Sequence, residues 1–198
     1  MLRNVEMVDL WAGRAAAKGA QIVVFPEDII SSFGGPSSKD ANLFSVRLPS
    51  APSQLCTTRR SSAGTSAPTD VVGRALACVA KRHDLVVVVG MGLIGHCEPR
   101  QAAFSRWPMP CDASSREGSY DGAAAFGPDG TLLGTHRRMH LGSTWAANNE
   151  PWVEAPVPNE RTPPDSFKTP FGVRFGFLVD TDVNFGEPML SLLQAGVR

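Results

Sequence analysis

The feature that most constrains the fold of this chain is a strand, a sharp break and a helix near its carboxyl end. The apolar run Phe175–Val179 is short and partly β-branched, which predicts a buried strand. The run breaks at the Asp-Thr-Asp sequence 180–182, and residues 187–196 then predict a helix with a proline in its first turn and a glycine at its end. In α/β hydrolytic enzymes the residue at such an elbow is often the nucleophile, and here it is Asp180.

Two helix–strand units precede this elbow. Apolar side chains recur at helical spacing over residues 2–18, which predicts a helix with a buried stripe of Leu2, Val5, Val8, Trp11 and Ala15. The apolar run 20–25 then predicts a short buried strand that ends before Glu27 and Asp28. Functional residues often lie at the carboxyl ends of strands in α/β folds. On position alone, however, Glu27 and Asp28 are better explained as the start of a solvated loop.

The second unit combines a helix with a longer strand. Asp70 is a candidate helix cap, and the helix is expected to end near the basic residues 81–83, with an apolar face of Val71, Leu76 and Val79. Residues 85–94 predict a fully buried strand, and a long loop is expected over 95–119. Helix–strand units in this order are typical of α/β proteins.

A β-hairpin is predicted next, because two apolar runs flank the turn sequence Gly-Pro-Asp-Gly at 127–130. Its second strand continues into the basic segment 136–141. His136 and His140 stand four residues apart, a spacing that suits a metal on one face of a helix. The segment follows a strand, where residues four apart are distant, so no metal site is expected.

Composition excludes several classes of protein. The 198 residues carry 19 acidic and 19 basic side chains, so a net charge of zero argues against a nucleic-acid partner. No apolar run is long enough to span a membrane, and the first residues lack the apolar core of a signal peptide. No dinucleotide fingerprint and no phosphate-binding loop occur in the sequence, so no cofactor is expected.

The four cysteines are irregularly spaced and form no C-x-x-C pair, which disfavours a zinc site and leaves disulfides and free thiols both open. Cys78 lies among apolar side chains of the second predicted helix and is expected to be buried. Cys56 and Cys111 lie in proline-rich loops and are better candidates for exposure or a disulfide. Cys97 carries no prediction.

Three candidate site residues each follow a predicted strand: Glu27, Arg138 and Asp180. Because α/β folds gather chemistry at the carboxyl ends of strands, we expect these side chains to converge within salt-bridge range, roughly 4 Å. A carboxylate, a cation and an elbow residue could serve as general base, electrostatic stabiliser and nucleophile.

Several segments of the chain resemble carbon–nitrogen hydrolases of the nitrilase superfamily, particularly its vanin (pantetheinase) and biotinidase branch. They occur in the order found in that family and are residues 19–28, 76–81, 120–126, 130–141 and 171–188, with the cysteine segments 55–56 and 109–112. The resemblance implies an α/β fold of the αββα sandwich type, one carbon–nitrogen hydrolase domain over residues 1–198, and hydrolysis of a linear amide such as pantetheine or biotinamide.

The family uses a glutamate base, a lysine that stabilises the oxyanion and a cysteine nucleophile. The resemblance places the glutamate at Glu27, the lysine position at Arg138 and the cysteine position at Asp180, so two of the three residues are replaced. A second family glutamate aligns near Glu150. A carboxylate attacks an amide poorly and arginine cannot release a proton, so impaired catalysis is expected.

A charge cluster of the same three side chains is preferred to working amidase chemistry. Its excess negative charge is expected to be offset by Arg137 or Arg174, because an unpaired buried carboxylate is costly. Three functions stay open: an impaired member that keeps a small-molecule pocket, an amide hydrolase that uses other residues, and an interaction fragment that pairs sheet edges with another chain, including a second copy.

Compared with the family, the second half of the sandwich after the elbow helix is missing, so the chain resembles a truncated form. The vanin branch implies an exported or membrane-anchored protein. Substrate identity and oligomeric state do not follow from the residues.

Overall fold

A computed structural model describes residues 1–31, 44–57, 68–96, 117–140 and 165–197. Its elements are, in chain order, α1 (Leu2–Ala16), β1 (Ile22–Val24), β2 (Ser45–Val46), β3 (Ser53–Gln54), α2 (Pro68–His83), β4 (Val86–His96), β5 (Glu117–Phe126), β6 (Thr131–Arg137), β7 (Ser166–Lys168), β8 (Arg174–Gly176) and α3 (Gly186–Gln194). A 3₁₀ turn, Asp180–Asn184, lies between β8 and α3. Across these ranges no helix has the length and apolarity that a membrane crossing requires.

The main sheet is mixed and has the order β1-β4-β5-β6-β3, with β2 also pairing to β4. β1 and β2 run parallel to β4, and the other neighbours are antiparallel. The β4–β5 pairing extends from Val87 opposite Phe126 to His96 opposite Glu117. The expected loop over 95–119 was therefore too long, because backbone pairing continues through residues at both of its ends.

Two helices cover one face of the main sheet. α1 buries Val5, Val8 and Ala12, whereas Leu2 and Trp11 of the predicted stripe are largely exposed. In α2, Leu76 and Val79 are buried as predicted, but Val72 is buried in place of Val71. The helix begins at Pro68, so Asp70 lies inside it and is not its cap. The errors concern which residues of an apolar stripe face the sheet and where α2 begins, while the helices themselves are confirmed.

The opposite face carries a small second sheet. β7 pairs antiparallel with β8, and Phe167 packs with Phe177 and Val179 against the main-sheet residues Val86, Val88, Ala123 and Ala125. α3 covers the outer side of this sheet, because a Cβ on Gly176 would lie 2.4 Å from Leu192 Cδ2. The order helix, sheet, sheet, helix is the expected αββα sandwich. The elbow strand β8 ends at Gly176 and is shorter than predicted. Phe177 and Val179 are buried in the core but lie beyond the paired residues, so an apolar run did not mark the strand end.

A disulfide joins Cys56 to Cys78 and ties the segment after β3 to α2. The prediction that Cys78 is a buried apolar residue was wrong, because its sulfur is bonded and the residue is only partly buried. Cys56 as a disulfide candidate is confirmed. Gly130 of the predicted hairpin turn accepts hydrogen bonds from the backbone of Leu55 and Cys56, at 3.1 and 3.2 Å. Cys97 and Cys111 lie outside the described residues.

Candidate active site

Glu27 is positioned by the close approach of two backbones. The chain leaving β1 stays beside β4 through a hydrogen bond from Phe25 N to Val88 O, at 2.8 Å. It then crosses Gly90, where a Cβ would lie 2.5 Å from Glu27 Cα and 2.7 Å from Pro26 O. Only glycine leaves room for this crossing. It brings Glu27 over Gly90 in the middle of β4, with its side chain 34% exposed.

Arg138 directly follows β6 and is held there by its own backbone, whose N–H donates to Asp121 O at 2.8 Å. Its side chain is 3% exposed, and its guanidinium contacts three carboxyl groups. Nη1 donates to Asp121 Oδ2 at 3.0 Å and to Glu27 Oε1 at 3.4 Å. Nη2 donates to Asp180 Oδ2. These four side chains form what we call the charge cluster.

The remaining donors of Arg138 are also occupied. Nη2 donates to Thr181 Oγ1 at 2.9 Å, and Nε is shared between Thr181 Oγ1 at 3.2 Å and His140 O at 3.0 Å. A guanidinium has five N–H donors, one on Nε and two on each Nη. Each of the three nitrogens has two acceptors in this structure, so all five N–H groups are accounted for.

Asp180 occupies the elbow between β8 and the 3₁₀ turn. Its φ is 44°, in the left-handed region that side chains other than glycine, asparagine and aspartate rarely enter. This conformation turns the chain sharply and leaves the Asp180 carboxylate 47% exposed. The backbone therefore has the strained form in which α/β enzymes present a nucleophile. The residue presented here is a carboxylate in an ion pair.

Asp182 fixes the elbow to the end of β6. Its buried carboxylate accepts hydrogen bonds from the backbone N–H groups of Met139 and His140, both at 3.0 Å, and from His136 Nε2 at 2.9 Å. Burial acts to raise the pKa of Asp182, but the bond from His136 and the two backbone donors outweigh it and hold the pKa below its usual value. The Asp182 side chain thus holds the elbow, which includes Asp180, next to the residues that follow Arg138.

His136 is buried between two carboxylates. Its Nδ1 faces Asp165 at 3.1 Å and its Nε2 faces Asp182 at 2.9 Å, while its ring stacks parallel to Phe177 with centroids 6.0 Å apart. Burial lowers the pKa of His136, and the hydrogen bonds to Asp165 and Asp182 reverse this and raise it. Through these two contacts His136 links β6 to Asp165, before β7, and to Asp182, after β8.

Asp121 lies beneath the charge cluster, on β5, with no solvent exposure. Burial, followed by the neighbouring Glu27 and Asp28 carboxylates, raises the pKa of Asp121 to about 9, against the hydrogen bond from Arg138. Among the described residues its Oδ1 has no donor to accept from. A proton on Oδ1 would donate to the adjacent Glu27 carboxylate, which explains the orphaned oxygen. A pKa raised to about 9 favours the neutral carboxylic acid form of Asp121 at pH 7.

A cleft of about 220 Å³ opens between the two sheets beside the charge cluster. Glu27 and Asp180 lie at its polar end. Its walls come from β1, β4 and β5 on one side and from β7, β8 and the elbow segment on the other, and include Ile22, Val24, Phe25, Phe167, Phe175 and Phe177. The cleft, which we call the inter-sheet cleft, is thus an apolar space with carboxylates at one end.

The structure brings Glu27, Arg138 and Asp180 together as expected, within salt-bridge range of one guanidinium. Their catalytic roles stay predictions. Arg137 does not offset the cluster's charge, since its guanidinium lies 4.6 Å from the centre of the Tyr120 ring. Arg174 donates to Ser166 Oγ instead. The expectation that Arg137 or Arg174 offsets the charge was wrong, because both guanidinium groups have other partners.

Sequence reasoning missed Asp121, although a signal was present. Asp121 opens the apolar run of the predicted hairpin strand, and a carboxylate within a buried strand requires a partner. Glu150, the other family-based candidate, lies outside the described residues. Within those that are described, no group of three or more His, Cys, Asp and Glu side chains is arranged to hold a metal ion.

Comparison with known proteins gives a consistent set of relatives. The carbon–nitrogen hydrolase family model matches residues 2–198. Biotinidase from Takifugu rubripes is 30% identical over 200 residues, which is 99% of this chain and 35% of that protein. Biotinidase from Bos taurus is 28% identical, over 98% of this chain and 33% of that protein. The chain thus spans about a third of the length of these curated relatives.

Solved structures resemble the chain at lower sequence identity. An amidase of the nitrilase superfamily from Nesterenkonia AN1, solved as a mutant, matches with a TM-score of 0.60 at 20% identity, over 100% of this chain and 56% of that one. A branch 10 member of the superfamily from Saccharomyces cerevisiae matches with a TM-score of 0.61 at 20% identity, over 99% and 56%. These neighbours confirm the nitrilase-like fold.

Proposed function

This chain belongs to the carbon–nitrogen hydrolase family, near the biotinidase and vanin branch of the nitrilase superfamily, and from that premise we propose that it is a catalytically impaired member. In this proposal Glu27, Arg138 and Asp180 stand where the family has its glutamate, lysine and cysteine. The charge cluster then replaces the catalytic residues, and the inter-sheet cleft takes the place of the amide pocket. The family substrate would be a linear amide such as pantetheine or a biotin amide.

The observation that carries this proposal is the complete use of the Arg138 donors. A residue that stabilises an oxyanion must have an N–H that is free to donate to it when the charge develops. Each Arg138 nitrogen already has two protein acceptors, and the side chain is 3% exposed. A substrate oxygen would have to displace a carboxylate or a hydroxyl from a buried cation, which is unfavourable.

The nucleophile position supports the same conclusion. A thiolate attacks an amide carbonyl and forms a thioester that water resolves, whereas a carboxylate is a weaker nucleophile and would form a mixed anhydride. The Asp180 carboxylate is further weakened because Oδ2 accepts from Arg138 Nη2. In a mutant of the Nesterenkonia amidase, acrylamide adds to the active-site cysteine. Asp180 offers no sulfur for that reaction.

Glu27 is also poorly placed to act as a base. Its Oε1 accepts from Arg138 Nη1 at 3.4 Å, so one of its oxygens is held in an ion pair. A general base needs a lone pair within hydrogen-bond reach of the proton it removes. The ion pair with Arg138 lowers the basicity of Glu27, so all three family positions favour a stable charge cluster over catalysis.

The test is to compare the native chain with the double variant Asp180→Cys/Arg138→Lys for release of amine from pantetheine and from a biotin amide. The matched control is Asp180→Ser/Arg138→Lys, which restores the lysine with a much weaker nucleophile. We expect no hydrolysis above background by the native chain and several orders of magnitude more by the cysteine variant. Circular dichroism establishes that each variant is folded.

Two results would overturn the proposal. Hydrolysis by the native chain would show a working amidase that uses residues other than Asp180. Equal, background-level rates for the folded cysteine and serine variants would show that the two substitutions are not what prevents catalysis.

A further inference from the structure

We propose that the inter-sheet cleft binds a small alkylammonium ion, with the ammonium group between Glu27 and Asp180 and the alkyl chain among the phenylalanine rings. The inference rests on the proposed function, since it takes the charge cluster as the resting state of the site. It goes further by naming a ligand class that differs from the neutral amides of the family.

The charges at the end of the cleft favour a cation. The exposed atoms of the charge cluster belong to carboxylates, because the Glu27 side chain is 34% exposed and that of Asp180 is 47% exposed. The only cation in the cluster, Arg138, is buried beneath them and is 3% exposed. With Asp121 neutral, two charged carboxylates face one guanidinium, so the cluster keeps one net negative charge. An ammonium group supplies the missing charge and donates the hydrogen bonds that exposed carboxylate oxygens accept.

The walls of the cleft are an independent observation that points to the same ligand. Four phenylalanine rings line it, Phe25, Phe167, Phe175 and Phe177. The faces of aromatic rings attract cations, and their edges and the neighbouring aliphatic side chains suit an alkyl chain. Val24 is 68% exposed at the same wall, an apolar surface that such a chain would cover.

The size of the cleft and the donors among its described residues disfavour other ligand classes. Its volume of about 220 Å³ is below the roughly 300–1,000 Å³ of pockets for drug-sized ligands, so the ligand must be small. An anion would meet the exposed carboxylates. An amide needs a donor for its carbonyl oxygen, and the N–H groups of Arg138 are already bonded. An ammonium needs acceptors only, which this end of the cleft provides.

The experiment is an NMR titration of the folded chain with n-pentylammonium chloride, 1-pentanol and pentanamide at pH 7 and constant ionic strength. The three probes share a chain length and differ in the polar head. We expect pentylammonium to bind about tenfold more tightly than pentanol, from ion pairing with partly exposed carboxylates and a cation–π contribution. Pentanamide should bind no better than pentanol.

Two cleft variants and one control variant assign this preference to the cleft. Asp180→Asn removes a carboxylate while keeping a residue that tolerates the positive φ of the elbow, so the fold should persist. It should reduce the preference for pentylammonium over pentanol severalfold. Glu6→Gln makes the same charge change on α1, on the other side of the main sheet, and should leave the preference unchanged. Glu27→Gln provides a second test at the other carboxylate.

The inference is overturned if pentylammonium and pentanol bind equally, if pentanamide binds most tightly, or if Asp180→Asn leaves the ammonium preference intact. Ammonia release from pentanamide is measured in the same samples. Hydrolysis of pentanamide would count against the proposed loss of catalysis. The preference for pentylammonium over pentanol alone decides the ligand class, so failure of one proposal can be told from failure of the other.

Discussion

The neutral state of Asp121 leads to a quantitative prediction about stability and pH. The Asp121 side chain is unexposed, its Oδ2 accepts from Arg138, and its Oδ1 lies unpaired beside Glu27. Asp121→Asn keeps the shape and replaces the protonated oxygen by an amide N–H₂, which can donate to Glu27 at any pH. The variant therefore reproduces the protonated form of the native side chain and removes its titration.

The sign and size follow from proton linkage. The folded-state pKa of Asp121 is raised from 3.8 to about 9, chiefly by burial and then by Glu27 and Asp28, with Arg138 opposing. Between these values the folded chain holds a proton that the unfolded chain has lost, so stability falls as pH rises. One proton changes the free energy of unfolding by about 1.4 kcal/mol per pH unit. From pH 5 to 8 the native chain should lose about 4 kcal/mol relative to Asp121→Asn.

The measurement is urea denaturation followed by circular dichroism at pH 5, 6, 7 and 8, with Glu6→Gln as the control for loss of an exposed carboxylate. The difference in free energy of unfolding between Asp121→Asn and the native chain should grow steadily in favour of the variant. A difference that stays constant over this range would mean that Asp121 does not change its protonation between the folded and unfolded chains, and would refute the reasoning.

Three further changes test other parts of the structure. Replacing Cys56 and Cys78 together by alanine should lower the free energy of unfolding by about 3 kcal/mol, since the disulfide closes a loop of 22 residues, and non-reducing peptide mapping should detect the bond. Asp182→Asn breaks a buried pair with His136 and should cost about 3 kcal/mol in urea denaturation. The two carboxylates raise the pKa of His136 against the effect of burial. The stability that His136 gives the folded chain is therefore complete below pH 6.5 and is lost as pH rises through the pKa of the folded state. Asp182→Asn should reduce this loss. Gly90→Ala should lower the melting temperature, because its Cβ would meet the Glu27 backbone at 2.5 Å.

The disulfide bears on where the chain works. Disulfides persist in oxidising compartments and are rare in the cytosol. The bond between Cys56 and Cys78 therefore favours an exported protein, in agreement with the implication of the vanin branch. The sequence could not assign this pair, because the spacing of four cysteines does not determine which of them lie close in space.

Local patterns in the sequence were sufficient for the helices, for β1, β4 and the β5–β6 hairpin and for the elbow, but they did not predict β2 or β3. Periodicity located α1, and the proline and glycine near residues 187–196 located α3. The convergence of Glu27, Arg138 and Asp180 also followed, because each lies after a strand and strands of one sandwich end near each other.

Long-range burial set the limits of that reasoning. The protonation of Asp121 depends on its distance from Glu27, which depends in turn on Gly90 allowing the two backbones to cross. No local pattern encodes that crossing. Likewise, His136 was weighed only as a metal ligand, and its role between Asp165 and Asp182 depends on segments far apart in the chain.

The two substitutions at the family positions act as one physical unit. Asp180→Cys alone would leave Arg138 with the Glu27 carboxylate and a neutral Asp121, and would free one N–H of Nη2 toward the elbow. Arg138→Lys alone would replace five fixed donors by three, leaving Asp180, Thr181 or His140 without a bond that the guanidinium now provides. Side chains that share one hydrogen-bond network are not expected to give additive effects. For this reason the charge cluster can be converted toward the family chemistry only by changing both positions together, as in the double variant.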